Sequence, residues 1–321
     1  MKPPILLTWK SLLPFVGIIG LLNGCGGGGG SKDAVSIPFT SWSDINPPVT
    51  VFANGVSEDA DYVAPAPDYT VTELTDLGFS TNANASITYR EDRTISRISI
   101  TTPNGTVTWN ESSGDLIDDT NPLAVRAVNS AETSFAIAVN PLPVGWDYQT
   151  FGAWQTGRGT GAGTFGAISV GAPTAGTAIP TTNNATFVGA TLGAYVDADG
   201  RDYLTAGDLT VNADFGDRSL GFASTRTQII DPVTGSSSLE PGLDMSGTLT
   251  YEAGINAFSG SLASPGRTVG EDVVVSPMTG QTQGRFYGPN AEELGGVFAI
   301  KAAGEGAETY AGSYGAAQAA P

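Results

Sequence analysis

Histidine is absent from this chain of 321 residues, and cysteine occurs once, at Cys25. The first absence removes Ser-His-Asp and Cys-His catalysis together with His-ligated zinc, copper and haem sites. The second removes any disulfide within the chain. Lysine is nearly missing too, at positions 2, 10, 32 and 301 only, so 14 basic residues face 32 acidic ones and the net charge is −18. Such a balance argues against nucleic acid as a partner, because phosphate contacts need clustered Lys and Arg. An enzyme built from what is left would need carboxylate pairs, Tyr, a Ser/Lys arrangement with one plausible base (Lys301), or an oxygen-ligated cation. No motif supplies one, so the expectation is a non-enzymatic protein with no catalytic residues, metal or cofactor.

Long apolar runs are also lacking, except near the start. Leu12–Leu22 is apolar but for Pro14, Gly17 and Gly20, shorter than the ~20 residues a spanning helix needs. With Lys2 and Lys10 before it, this stretch reads as a secretory leader. It ends in Leu22-Asn23-Gly24-Cys25, followed by Gly26 to Gly30. A small residue before a lone cysteine, with Leu three places upstream, is the pattern of a bacterial lipoprotein processing site. The expected products are a signal peptide (1–24), a lipidated Cys25 on a Gly-rich tether (25–32), and a body held to a membrane by acyl chains. Gly26, rather than Asp, follows the cysteine, which favours the cell outer membrane.

The body lacks helical periodicity. Thr94–Thr102 alternates apolar and polar residues, with Ile95, Arg97 and Ser99 on one face and Ile98 and Ile100 on the other. Asn104-Gly105 between this run and Thr106–Trp109 signals a hairpin. After Pro141 and Pro143 the rhythm becomes regular. Strand-like segments recur at Trp146–Gln155, Gly163–Val170, Ala185–Val196, Tyr203–Ala213, Leu220–Ile230, Asp244–Tyr251, Ala257–Leu262, Gln283–Tyr287, Gly296–Lys301 and Thr309–Gly315. The expected fold is all-β: a β-rich domain over 33–145, then a soluble antiparallel barrel of about eight strands over 146–321. The one helical turn expected is Pro289–Leu294.

The segment Gly284-Arg285-Phe286-Tyr287-Gly288-Pro289-Asn290-Ala291-Glu292-Glu293-Leu294-Gly295-Gly296-Val297-Phe298 closely resembles the signature near the end of the β-barrel in transferrin-binding protein B and related surface lipoproteins. Leu209–Gly216 and Tyr310–Ala316 are similar to other strands of that family, and the glycine run after the cysteine is typical of it. The resemblance covers roughly residues 146–317 and implies a single lobe, a β-rich handle plus a barrel, where the large family members have two. The motif residues themselves (Gly284, Phe286, Tyr287, Gly288, Pro289, Ala291, Glu292, Glu293, Leu294, Gly295, Gly296 and Phe298) read as structural. Glu292 and Glu293, adjacent on a helical turn, point apart and do not form an acid–base pair.

The resemblance implies a lipid-anchored, surface-exposed protein that binds a macromolecule from the host or environment, in iron or other nutrient acquisition. A TonB-dependent receptor and a surface lipoprotein assembly modulator are the implied partners. The alternative is a carrier of a small, haem-like ligand in the barrel or domain cleft, with Tyr148 among the available iron ligands. Two acidic groups invite a calcium reading, Asp197–Asp202 and Asp115/Asp118/Asp119. The first has its glycine too early for a calcium loop and is better explained as a hairpin turn, the second as a solvated loop. Trp146, Tyr148, Phe151 and Trp154 read as core at the start of the barrel.

Overall fold

Alternating apolar and polar residues put one face of each strand in a core, and the chain does this twice. The computed structural model describes residues 34–67, 69–231, 235–269, 272–304 and 308–319. Leu22, Asn23, Gly24 and Cys25, with the leader and the whole tether, lie outside them. Strands β1 (Val35–Pro38), β2 (Val49–Val63), β3 (Glu73–Tyr89), β4 (Ile95–Thr102), β5 (Gly105–Asn110), β6 (Leu116–Asp118), β7 (Ala124–Val128), β8 (Phe135–Val139), β9 (Gln149–Gln155) and β10 (Ala162–Gly171) form one sheet. Its order is β5-β4-β3-β2-β10-β9-β8-β7-β6, with β1 parallel to β2. The sheet curls until its edges β5 and β6 approach without pairing.

Carboxylates tie that open seam. Asp115 accepts from the Asn110 and Ser130 amides at 2.8 and 2.9 Å, and Asp119 accepts from the Ile95 amide at 2.8 Å. The second acidic group is therefore turn and seam chemistry rather than a free loop. The curled core holds Trp42, Ile87, Ile100, Trp109, Val125 and Ile168.

The second body contains β11 (Asn184–Val196), β12 (Asp202–Asp214), β13 (Ser219–Ile230), β14 (Ser237–Leu239), β15 (Ser246–Tyr251), β16 (Phe258–Ser264), β17 (Arg267–Val269), β18 (Asp272–Val275), β19 (Met278–Tyr287), β20 (Glu293–Ala302) and β21 (Thr309–Gln318). Pairing runs β12-β11-β21-β20-β19-β16-β15-β13, and β13 pairs back onto β12. Eight antiparallel strands thus close into a barrel and leave no edge in that ring. β14 hangs on β13, and β17–β18 is a separate ribbon.

The all-β expectation with an eight-stranded barrel stands, but the division near residue 145 does not. Strands β9 and β10 pair with β8 and β2 and so belong to the first sheet. Pro141 and Pro143 make only a one-turn corner, α1 (Pro141–Val144), stopped by Gly145 at φ 82°. The two bodies part instead between Gly171 and Asn184. Local pattern could not reveal this, since strands of either body carry the same alternation.

Three finer expectations change as well. The β4–β5 hairpin forms, but Thr102 pairs with Gly105, so Pro103-Asn104 is the turn centre rather than Asn104-Gly105. Register slips beside Tyr89, leaving Ser96 as the extra residue of a bulge. Ile95 thereby joins Ile98 and Ile100 on the inner face instead of opposing them. Pro289–Leu294 is not helical: Ala291 takes φ 63°, and Glu293 already starts β20. The Asp197–Asp202 segment is the expected hairpin turn, with Gly200 at φ 80° and Asp197 Oδ1 accepting from the Asp199 and Arg201 amides at 2.9 Å.

Candidate functional site

Phe286 lies at the centre of the barrel core, with the rings of Phe258, Tyr251, Phe215 and Phe187 at 5.3, 5.4, 5.9 and 6.3 Å. Phe298 packs edge-on to Tyr310 at 4.8 Å, and Leu294 is fully buried. The next residue along β19, Tyr287, faces the opposite way, into the junction with the first sheet. Its hydroxyl donates to the Ser169 carbonyl at 2.9 Å. Alternation along a strand thus splits the Gly284–Phe298 motif between barrel core and domain junction.

The turn after β19 completes the junction. The Gly288 amide donates to the Ala172 carbonyl at 2.9 Å, and Thr174 Oγ1 donates to the Gly288 carbonyl at 2.6 Å. Gly288 has φ 89°, and a Cβ there would stand 2.7 Å from the Tyr148 ring. At Gly295 a Cβ would stand 2.4 Å from Ser169 Oγ. Pro289 and Asn290 are exposed at the tip, where Glu292 accepts from the Asn290 amide at 2.8 Å.

Glu293 is turned inward. It is 4% exposed and accepts from the Asp147 amide at 2.7 Å and the Tyr148 amide at 3.2 Å. Burial pushes its carboxyl up to about 7, against the pull of those amides. Glu292 and Glu293 have separate partners and do not act as a pair. The two acidic side chains do separate work because one closes a turn and the other bridges two bodies.

Of the four aromatics expected at the barrel's start, Trp154 sits in the first-sheet core, while Trp146 and Phe151 pack with Ala190 and Leu192 between the bodies. Tyr148 is half-buried at the junction. Burial first, then Glu292, Asp147, Glu293 and Asp44, raise its phenol, which disfavours the tyrosinate an iron would need.

The feature that pattern reading missed is a chamber of about 250 Å³ inside the curled sheet. Ile87, Ile98, Ile100, Ile168, Val170 and Trp42 supply its apolar wall. Arg93, Leu142 and Pro143 line it while exposed to solvent and so mark its mouth. Trp42 Nε1 is buried without a hydrogen-bond partner. The Ile98/Ile100 alternation was visible as an inner face, but nothing local indicates that an inner face is left partly unfilled. Among the described residues no group of three or more Asp, Glu or Cys is placed to hold a metal ion.

The family model for the C-lobe and N-lobe β-barrels of transferrin-binding protein B matches residues 179–318, a span that includes the Gly284–Phe298 motif. No curated protein sequence matches the chain. Similar solved structures include a transferrin-binding protein B variant from Haemophilus parasuis, 16% identical, covering 74% of this chain and 51% of that one at a TM-score of 0.43. The isotype 1 protein from serogroup B Neisseria meningitidis is 14% identical, covering 76% and 53% at 0.43. A solved surface lipoprotein is 11% identical, covering 83% and 99% at 0.37. The match spans about half the length of the first two. The chain is an all-β protein, and its closed barrel over residues 179–318 is similar to the barrels of transferrin-binding protein B.

Proposed function

We propose that this chain is a non-enzymatic lipoprotein of the cell outer membrane, anchored through Cys25 and exposed at the surface, that binds a macromolecular partner in iron or other nutrient acquisition. The observation that carries this reading is the match of residues 179–318 to barrels whose family is named for transferrin binding. Handing cargo to a TonB-dependent receptor, and export by a surface lipoprotein assembly modulator, fit the same reading. The junction built by Tyr287, Gly288 and Glu293 supports it physically, because a first body braced on a barrel can present its loops in a fixed geometry.

Two measurements test the proposal. Metabolic labelling with palmitate should mark the chain, and Cys25→Ala should abolish the label and release the protein from the membrane fraction. Immobilised chain should retain iron-loaded transferrin in a surface binding assay; no retention would remove transferrin as the partner. A second reading, a carrier of a small apolar ligand, is favoured by the chamber and the unpartnered Trp42 Nε1. Filling the chamber with Ile100→Trp should then abolish uptake of an apolar fluorescent probe.

A further inference from the structure

Where β2 and β3 of the first sheet face the barrel, a second cavity of about 350 Å³ opens between the bodies, within the ~300–1,000 Å³ usual for small-molecule sites. Its walls carry five aromatic rings: Tyr62, Phe79, Phe135 and Phe165 from the first sheet, and Tyr203 from β12. In this apolar setting lies the carboxylate of Glu58, 1% exposed, whose Oε2 has no hydrogen-bond partner. Asp76 and Asp202 line the same cavity and are exposed, which puts them at its rim. Lys301 alone is basic among the described residues lining it, and it makes no ion pair with Glu58.

A buried carboxylate without a partner is unfavourable unless it takes a proton or a cation. Burial, reinforced by Asp76 and Asp59, holds the Glu58 carboxyl well above its usual range. Its immediate neighbour along β2 is satisfied on one oxygen, Oδ2, while its Oδ1 also lacks a partner. Asp59 accepts from Thr102 Oγ1 at 2.5 Å and from Asn104 Nδ2 at 3.0 Å. No hydrogen bond of that kind reaches Glu58 Oε2, on a residue that lines the cavity. The carboxylates around the cavity are not grouped to hold a metal ion. One deep charge, ring faces around it and a negative rim suit a weakly hydrated organic cation, because ring faces attract positive charge and the rim steers it inward.

We propose that this interdomain cavity binds a small organic cation, an amine or amidine on an aromatic or apolar body, with its charge on Glu58 and its flat part among Tyr62, Phe79 and Tyr203. The site is distinct from the chamber of the first sheet and does not depend on the partner-binding reading. Calorimetric titration of the full chain with phenethylamine and with its neutral near-isostere phenethyl alcohol tests it. The amine should bind at least tenfold more tightly than the alcohol, and Glu58→Gln, which keeps the side-chain volume, should erase that preference. Tyr203→Ala, at the half-exposed wall, should weaken the amine several-fold, and it serves as the test if Glu58→Gln does not fold. No heat with the amine, equal affinity for amine and alcohol, or a preference untouched by Glu58→Gln (or, in its place, by Tyr203→Ala) would each overturn the proposal.

Discussion

The curled sheet and the barrel start from strands of the same alternation and end differently. In the barrel, β13 returns to β12, so every strand of the ring has two neighbours and the interior fills with rings around Phe286. In the first sheet, β5 and β6 meet without pairing, and side-chain carboxylates and one short turn close the gap. The incomplete closure goes with incomplete packing: the curled sheet keeps a chamber of about 250 Å³ along its isoleucine-rich face. The lesson is that closure and packing travel together. A ring fixes its radius and lets side chains fill it, whereas an open sheet can flex and retain space for something else.

Core truncation should separate the two bodies most strongly. Phe286→Ala should cost about 3–5 kcal/mol in urea unfolding, since its four aromatic neighbours cannot collapse into the gap. Ile100→Ala should stay near the low end of the aliphatic range, about 2 kcal/mol, because its side chain already borders empty space. Equal losses would erase the contrast.

The next effect concerns the carboxylate that joins the bodies. In the unfolded chain Glu293 titrates near 4.5, and in the folded protein burial raises it to about 7. The folded state therefore binds more protons between these values. The stabilisation this brings is complete below about pH 4.5 and is lost as pH rises through about 7. The span corresponds to about 3 kcal/mol. Unfolding measured from pH 5 to pH 8 should show this decline, and Glu293→Gln should flatten it. An unchanged slope in the variant would mean that another group carries the dependence.

Overpacking gives a smaller, oppositely signed pair. Ala136→Leu, which points into the chamber, should be neutral or stabilising by about 1 kcal/mol. Ala316→Leu in the fully buried barrel wall should destabilise by about 1–3 kcal/mol. Thermal melts should show Ala316→Leu lowered and Ala136→Leu unchanged or raised. At the junction, Gly295→Ala should also destabilise by about 1–3 kcal/mol, since its Cβ would stand 2.4 Å from Ser169 Oγ and 2.9 Å from the Tyr314 carbonyl. Its signature should be faster proteolysis between Gly171 and Asn184 while the barrel stays intact.

Much of the fold was legible locally because strand patterning is a near-neighbour property. All ten segments expected after Trp146 are strands, and eight of them are the ring. What failed were statements about partners. The prolines at 141 and 143 looked like a boundary, yet they turn a corner inside one sheet, since pairing of β9 with β8 is settled across the sheet and not along the chain. Ile95 changed face because a single bulge at Ser96 reverses the alternation beyond it. At the candidate sites the motif residues were visible as a block, but their division between core and junction was not. Glu58, in the run Ser57-Glu58-Asp59, reads from sequence as a polar strand residue. Only the barrel laid against β2 makes it a buried carboxyl with an unpartnered oxygen.

By itself, the sequence determined the β class, the positions of the barrel strands, the acidity, and the exclusion of histidine and disulfide chemistry, because these follow from residue identity and the two-residue period of a strand. Tertiary structure alone decided that one sheet closes and the other does not, that Glu293 and Tyr287 bind the two bodies together, and that space remains inside the curled sheet and between the bodies. Those outcomes depend on strand pairings and on surfaces brought together from residues more than a hundred positions apart, where burial sets the energy of a charge or a void.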